Sequence, residues 1–395
     1  MLMPDTSSPA AAHSPAISGL ADIASQAHSW LLDVAAPLWS GTGRLDKGLF
    51  VERLTHEGKA DDAPRRLFVQ ARDVYSFGEI GRLGWDGPWR ELCNSTVDYL
   101  LAHGRRADGL FIHSFTSDGA VHDGRADLYD QAFMLFCLGH ASRALERPDL
   151  LDAADALMAA LDDGWRHPAG GFIEKDIPRP LRHQNPHMHF FEAFSALYDI
   201  SGRPEWKARA EEMARLCRDR FIDPETGALL EYFTEDLTPA PGIEGRIVEP
   251  GHCFEWAWLF EKLALWGWAD AIAISDRLTA FGRTHGISAT HDVAINEVTL
   301  EGAVHKPTAR LWPQTERLKV ALARLRRLGT HEEAEEARRA FRGLQLYFDM
   351  PVPGTWRDVL NPDGSFVPQP APGSSLYHIT CAMAELLDTV ENHQS

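Results

Sequence analysis

The chain has 395 residues, 44% of them hydrophobic and 24% charged, with a formal net charge of -18. That length admits one large domain or two ordinary ones, no apolar run reaches the 18 or so residues needed to span a bilayer, and so negative a chain repels phosphate backbones and anionic lipid. Five cysteines (Cys93, Cys137, Cys217, Cys253 and Cys381) are scattered and never form CxxC, so they read as buried free thiols rather than a disulfide framework or a zinc-thiolate site.

Residues 1–19 are rich in Pro, Ala and Ser, without an early basic cluster or an apolar h-region. They read as a flexible leader rather than a signal peptide, ahead of a single domain over 20–395 residing in the cytoplasm. Apolar residues then recur at helical spacing over 126–146, 150–163, 187–201, 205–221, 252–267, 269–284, 312–328, 332–348 and 375–391. Between them lie short β-like pieces rich in Gly, Pro and Asp, at 109–119, 170–177, 227–237 and 355–364, which read as small hairpins joining one helix to the next. The basic stretch RLKVALARLRR (317–327) is followed by the acidic HEEAEEARR and reads as a solvated, locally compensated face.

The order of these pieces repeats. Taking the polar residue near the start of every second helix gives Arg72, Asp130, His189, His252, Gln314 and His378, at successive spacings of 58, 59, 63, 62 and 64 residues. Six units of two helices follow, which close into an all-α toroid, an (α/α)6 barrel with short β-hairpin loops at one mouth. One polar group per unit then converges on a single pocket.

The densest motif is RHQNPHMHFFEAF (182–194). Asn185 and Pro186 suit a helix entrance, and His189 and Glu192 lie three apart on one helical face, where a carboxylate can orient the imidazole. His252 and Glu255 repeat the spacing in EPGHCFEW, and His378 opens the last helix in SSLYHITCAMAEL. Arg72 could bind sugar oxygens or an enediolate, Asp130 could accept hydroxyl hydrogen bonds, and Trp312 and Trp356 could serve as platforms for a sugar face. There is no GxGxxG after a strand, no GxxxxGK[ST], no GxSxG and no HExxH, and His187 and His189, two apart on a helix, point in different directions. No metal and no nucleotide cofactor is expected.

Through VQARDVYSFG, LYDQAF, NPHMHFFEA, EPGHCFEW, RLWPQTE and SLYHITCAMAEL, from about residue 30 to 390, the sequence resembles the N-acylglucosamine 2-epimerase superfamily, which includes mannose isomerases, aldose-ketose isomerases and cellobiose 2-epimerases. The resemblance implies an (α/α)6 barrel without metal or nucleotide in its chemistry. It places Arg72, His189, Glu192, His252, Glu255 and His378 on functional positions, with Gln314 and Glu316 nearby. Isomerising an aldose needs groups that titrate near neutrality, so His252 and His378 are taken as the acid/base pair, their roles left undivided, with Arg72 stabilising the oxyanion. No cluster of Lys or Arg surrounds the anchors, which favours a free sugar, D-mannose to D-fructose, handled by a monomer or homodimer, while the isolated Arg182, Arg246 and Arg310 leave an anionic sugar open. A 2-epimerase of mannose, an N-acylglucosamine or a disaccharide is the alternative. A glycoside hydrolase, with Asp130 and Glu255 as opposed carboxylates, and a non-catalytic binding protein are the rivals.

Overall fold

A computed structural model of the chain describes residues 17, 19–44 and 48–394. Most of the leader read over 1–19 lies outside the described residues; Ile17 and Leu20 are already buried in the core. The first helix, α1, begins at Ala21–Ser29 and runs on through a π-helical stretch, Trp30–Ala35, into Ala36–Gly41. There follow α2 (Leu67–Arg82), α3 (Trp89–Tyr99), α4 (Leu128–Ala144), α5 (Asp149–Gly164), α6 (Asn185–Ser201) and α7 (Pro204–Leu216). The chain ends with α8 (Pro250–Ala264), α9 (Ala271–His285), α10 (Trp312–Leu328), α11 (His331–Gln345) and α12 (Ser374–Gln394).

The even-numbered helices form an inner ring and the odd-numbered ones an outer ring, as the six-unit period requires. Their sequences explain the sorting. Inner α4 is buried on nearly every side, from Leu128 through Ser142, as a helix with apolar residues all round must be. Outer α11 buries one stripe, including Ala334, Ala337, Phe341 and Leu344, together with Glu333 and Glu336, which are paired with arginines, and leaves its other face to solvent. The sixth pair is made from the two ends of the chain, since α1 packs against α12. Trp39 Nε1 donates to the carbonyl of Gly354 at 2.9 Å across this seam. The helices α1, α2 and α3 were not marked by periodicity; in α2 the glycines of SFGEIGRLG dilute the pattern. One of those glycines is required: a Cβ on Gly81 would lie 2.3 Å from the Trp89 ring.

The loops form the short hairpins expected of them, such as Ser114–Phe115 with Val121–Asp123 and Glu297–Thr299 with Val304–Lys306, and these are further tied from unit to unit. In five of the six units a two-residue strand immediately before the inner helix pairs antiparallel with the loop of the next unit. Arg65–Arg66 meets Ser114–Phe115, Arg182–His183 meets Tyr232–Phe233, and Ile247–Val248 meets Glu297–Thr299. Ala309–Arg310 meets Val359–Leu360, and Ala371–Pro372 closes the ring on Arg53–Leu54. These five inner helices therefore enter the barrel at a register fixed by a neighbour, and the first turns of the inner ring gather at one mouth.

A second device repeats with the units. The amides of Gln70, Gln131 and Gln314 each hold the backbone of the residue 20 positions earlier: Phe50, Phe111 and Ala294. Gln314 is thus a structural clamp, wholly buried, and not the substrate ligand expected from its spacing. The reading of 317–327 as a solvated face is also overturned. As part of an inner helix, α10 buries Arg317 and Lys319 completely, and its remaining arginines meet carboxylates of α8, α9, α11 and α12. Ionised side chains survive there because each is paired.

Candidate active site

The gathered first turns enclose a cavity of about 290 Å³ lined by Arg72, Tyr129, Asn185, His189, His252, Glu255, Trp312 and His378. Arg66, Glu249 and Arg310 stand around it. A larger cavity of about 380 Å³ between α2, α3 and α4 contains none of the predicted site residues.

His252, in the first turn of α8, turns its Nδ1 toward both oxygens of Glu231, each at 3.0 Å. A carboxylate only accepts, so Nδ1 carries the proton. Glu231 is fixed in turn by Gln184, whose Nε2 donates to it at 3.0 Å while its Oε1 accepts from Trp256 Nε1 at 2.7 Å. Burial alone would lower the pKa of His252; Glu231 and Glu249 outweigh burial and raise it to about 10. At neutral pH this ring is an imidazolium with its Nε2 proton free.

His378, in the second turn of α12, is oriented the same way but charged differently. Its Nδ1 donates to Glu316 at 2.9 Å, and the other oxygen of Glu316 is 2.7 Å from Lys319 Nζ. Burial, reinforced by Arg72, Lys319 and His189, holds the imidazole neutral, well below its ordinary value. The lone pair therefore sits on Nε2. The indole of Trp312 stands against both rings, with centroids 4.8 Å from His252 and 5.6 Å from His378. Gly251 makes room for it, since a Cβ there would lie 2.5 Å from the indole.

The remaining polar groups complete the floor and wall. His189 Nδ1 lies 3.2 Å from Glu192, which also accepts from the Tyr377 hydroxyl at 2.6 Å. Burial lowers His189 to about 4 despite that carboxylate. The guanidinium of Arg72 donates to the Tyr129 hydroxyl at 2.6 Å and to the Ser374 carbonyl at 3.3 Å, and lies 4.2 Å from the Phe133 ring centroid. Among the described residues no carboxylate is within ion-pairing distance of it, so its charge is available to a ligand. Burial, with Glu316 nearby, pushes Glu255 well above the carboxylate range, and its Oε1 has no partner among the described residues. Burial thus favours its protonated form, in which it would donate a hydrogen bond into the cavity.

Of the residues predicted from sequence, Arg72, Asn185, His189, His252, Glu255, Trp312 and His378 face the cavity, while Glu192 and Glu316 lie behind it as the carboxylates that orient histidines. Asn185 does not cap α6, which begins with it; its side chain is left to the cavity. Asp130 is excluded, being fully buried and bonded to the Phe68 amide at 3.0 Å and to His113 at 2.6 Å. Without it the opposed carboxylate pair of a glycoside hydrolase does not form. Trp356 is no platform; it stacks on Trp39 at 4.6 Å in the core. The HxxE pairing holds for His189 but not for His252, whose partner comes from a loop 21 residues earlier. Glu231, Glu249, Tyr129, Tyr377, Lys319 and Arg66 were not found from sequence. Tyr129 and Tyr377, each next to an anchor, carried the best available signal.

His189, Glu192, Glu255, Glu316 and His378 form a continuous acidic-imidazole cluster, and Glu231 and Glu249 form a second one around His252. Both already contain a cation supplied by the chain: the Lys319 ammonium in the first and the His252 imidazolium in the second.

The profile of the N-acylglucosamine 2-epimerase (GlcNAc 2-epimerase) family matches residues 48–382. The chain is 42% identical to a Rhizobium meliloti (strain 1021) protein named mannose-6-phosphate isomerase, over 92% of this chain and 96% of that one. It is 27% identical to a D-mannose isomerase of Thermobifida fusca, over 67% of this chain and 71% of that one. The cellobiose 2-epimerase of Spirochaeta thermophila superposes with a TM-score of 0.85 at 22% identity, covering 95% of this chain and 98% of the other, and shares the (α/α)6 fold.

Proposed function

Because the chain belongs to the N-acylglucosamine 2-epimerase family, whose members isomerise or epimerise sugars, we propose that it is an aldose-ketose isomerase converting D-mannose to D-fructose through an enediol. One observation carries the reading: two histidines on one cavity wall hold opposite protonation states, a neutral His378 and an imidazolium His252. Environments that drive two titrating groups apart divide the labour between acid and base.

In this proposal the sugar binds in its open-chain form. His378 Nε2 removes the C2 proton, the C1=C2 bond forms, and the electrons that leave the carbonyl arrive at O1, which takes the Nε2 proton of His252 beside the charge of Arg72. His252, now neutral, withdraws the proton from O2 as the C2 carbonyl forms, and His378 returns its proton to C1. Both histidines regain their starting states. His189, Glu255 and Asn185 hold hydroxyls, and Trp312 supports the carbon chain. The proposal needs neither metal nor nucleotide, and has one domain over 20–395 acting in the cytoplasm as a monomer or homodimer. No described helix is long and apolar enough to cross a membrane.

A second reading, D-mannose 6-phosphate as substrate, is favoured by Arg66 and Arg310, which join Arg72 around the cavity although no basic cluster was visible in the sequence. It is also the substrate in the name of the 42% identical relative. The free sugar stays first because Arg66 already donates to Glu52 at 2.6 Å and Arg310 lies 3.4 Å from Asp358. The test is turnover of both sugars with the product identified. Fructose from D-mannose, at a kcat/KM at least tenfold above that for the phosphate, is expected. The reverse ratio selects the second reading, glucose alone makes the enzyme a 2-epimerase, and no turnover of either sugar removes the isomerase.

A further inference from the structure

Lys319 lies in the middle of α10 with no solvent exposure, and no step of the proposed mechanism uses it. Its ammonium is 2.7 Å from Glu316 and 3.8 Å from the Trp258 ring centroid. A buried lysine ordinarily gives up its proton. Here burial is outweighed by Glu316, with Cys381, Glu255 and Glu192 beyond it, and the group stays charged.

Under the cavity, Glu192, Glu255 and Glu316 face Arg72, Lys319 and the histidines His189 and His378. Glu192 is ionised, held below the carboxylate range against burial chiefly by His189. Glu255, which has no ion-pair partner among the described residues, is driven well above the carboxylate range, toward its neutral form. Glu316 feels the same burial, and Lys319, the cation in contact with it, opposes the resulting upward shift. With Glu316 ionised the cluster holds two carboxylates, Lys319 and Arg72, which balance. With Lys319 removed, the cheapest way to restore balance is a proton on Glu316. A carboxylic acid at that place would donate to His378 Nδ1 and force the ring proton onto Nε2, where the base needs its lone pair.

We propose that Lys319 is a positioning residue that fixes the tautomer of His378, acting through Glu316 as the built-in counter-cation of the site. The inference rests on the reading of His378 as the base, but its first test needs no substrate. The ¹⁵N signals of labelled His378 in the wild-type protein at neutral pH are expected to show a neutral ring protonated at Nδ1. A ring protonated at Nε2, or at both nitrogens, would overturn the proposal even if the enzyme isomerises sugars as described.

The second test is Lys319→Met, checked for folding by circular dichroism. Its His378 signals should switch to the Nε2-protonated form at neutral pH, and kcat should fall on the order of 100-fold there. The acid limb of the rate profile should move up by at least one pH unit, because the base returns only as Glu316 ionises. A packing role would lower the rate at every pH without moving the limb. A folded variant with unmoved signals and an unmoved limb would contradict the assignment; should the variant not fold, the wild-type spectrum decides.

Discussion

His378→Asn should lose on the order of 10²- to 10⁴-fold in kcat/KM while keeping its fold. The amide can still donate to Glu316, which now accepts from the imidazole at 2.9 Å, so the buried carboxylate keeps that bond and its ion pair with Lys319. No group at that place can then take a proton from carbon. Residual activity is read from initial rates on D-mannose and the fold from the thermal transition. Retention of more than about a tenth of the parental rate would take the base role from His378, since general-base catalysis is worth at least 10²-fold.

Glu231→Gln should be nearly as damaging near neutral pH, for a different reason. His252 is an imidazolium only because Glu231 and Glu249 outweigh burial, which by itself drives the ring to its neutral form. As an acid it works only below its own pKa, so the rate of the wild-type enzyme should fall as pH rises through about 10. The base His378 lies well below 6.5, which puts the acid limb under that value and leaves a plateau across neutrality. With the carboxylate gone, the alkaline limb should shift down by several pH units and the plateau should vanish. The same pair affects stability in the same direction. A folded pKa raised above the ordinary 6.5 contributes stability that is full below 6.5 and fades as pH climbs through about 10. In the variant this alkaline loss should be absent from the thermal transition. An alkaline limb left in place would mean that His252 does not donate the proton.

Much of this site could be read before its geometry was known, because three histidines recurred at a period near 60 residues and the chain had the apolar spacing of paired helices. What the period could not give was register within a turn. Gln314 met the spacing, yet it matches Gln70 and Gln131, two residues before Arg72 and one after Asp130, and so faces the previous loop instead of the cavity. Asp130 failed in the same way, one position from Tyr129, whose hydroxyl does reach Arg72. Local spacing also misassigned the partner of His252: Glu255 is three residues on, but Glu231 arrives from a loop whose path is set by strand pairing between units. Lys319 was hidden by composition, since RLKVALARLRR carries enough charge to look solvated, and only its place in the inner ring shows that it is buried and answered by Glu316 one turn earlier on the same helix. Trp356 shows the converse, an aromatic in a polar loop whose ring turns inward onto Trp39.

The central claim is that hydrogen moves between C2 and C1 as a proton carried by a histidine. It is tested most directly by incubating the protein with D-mannose in deuterated water and recording the NMR spectrum of the product. Fructose carrying deuterium at C1, formed by the wild-type protein and not by His378→Asn, is the predicted result. Because His378 returns the proton it removed, deuterium enters C1 to the extent that its N–H exchanges with solvent during the life of the enediol; deuterated fructose formed as fast by His378→Asn as by the wild-type protein would contradict the account.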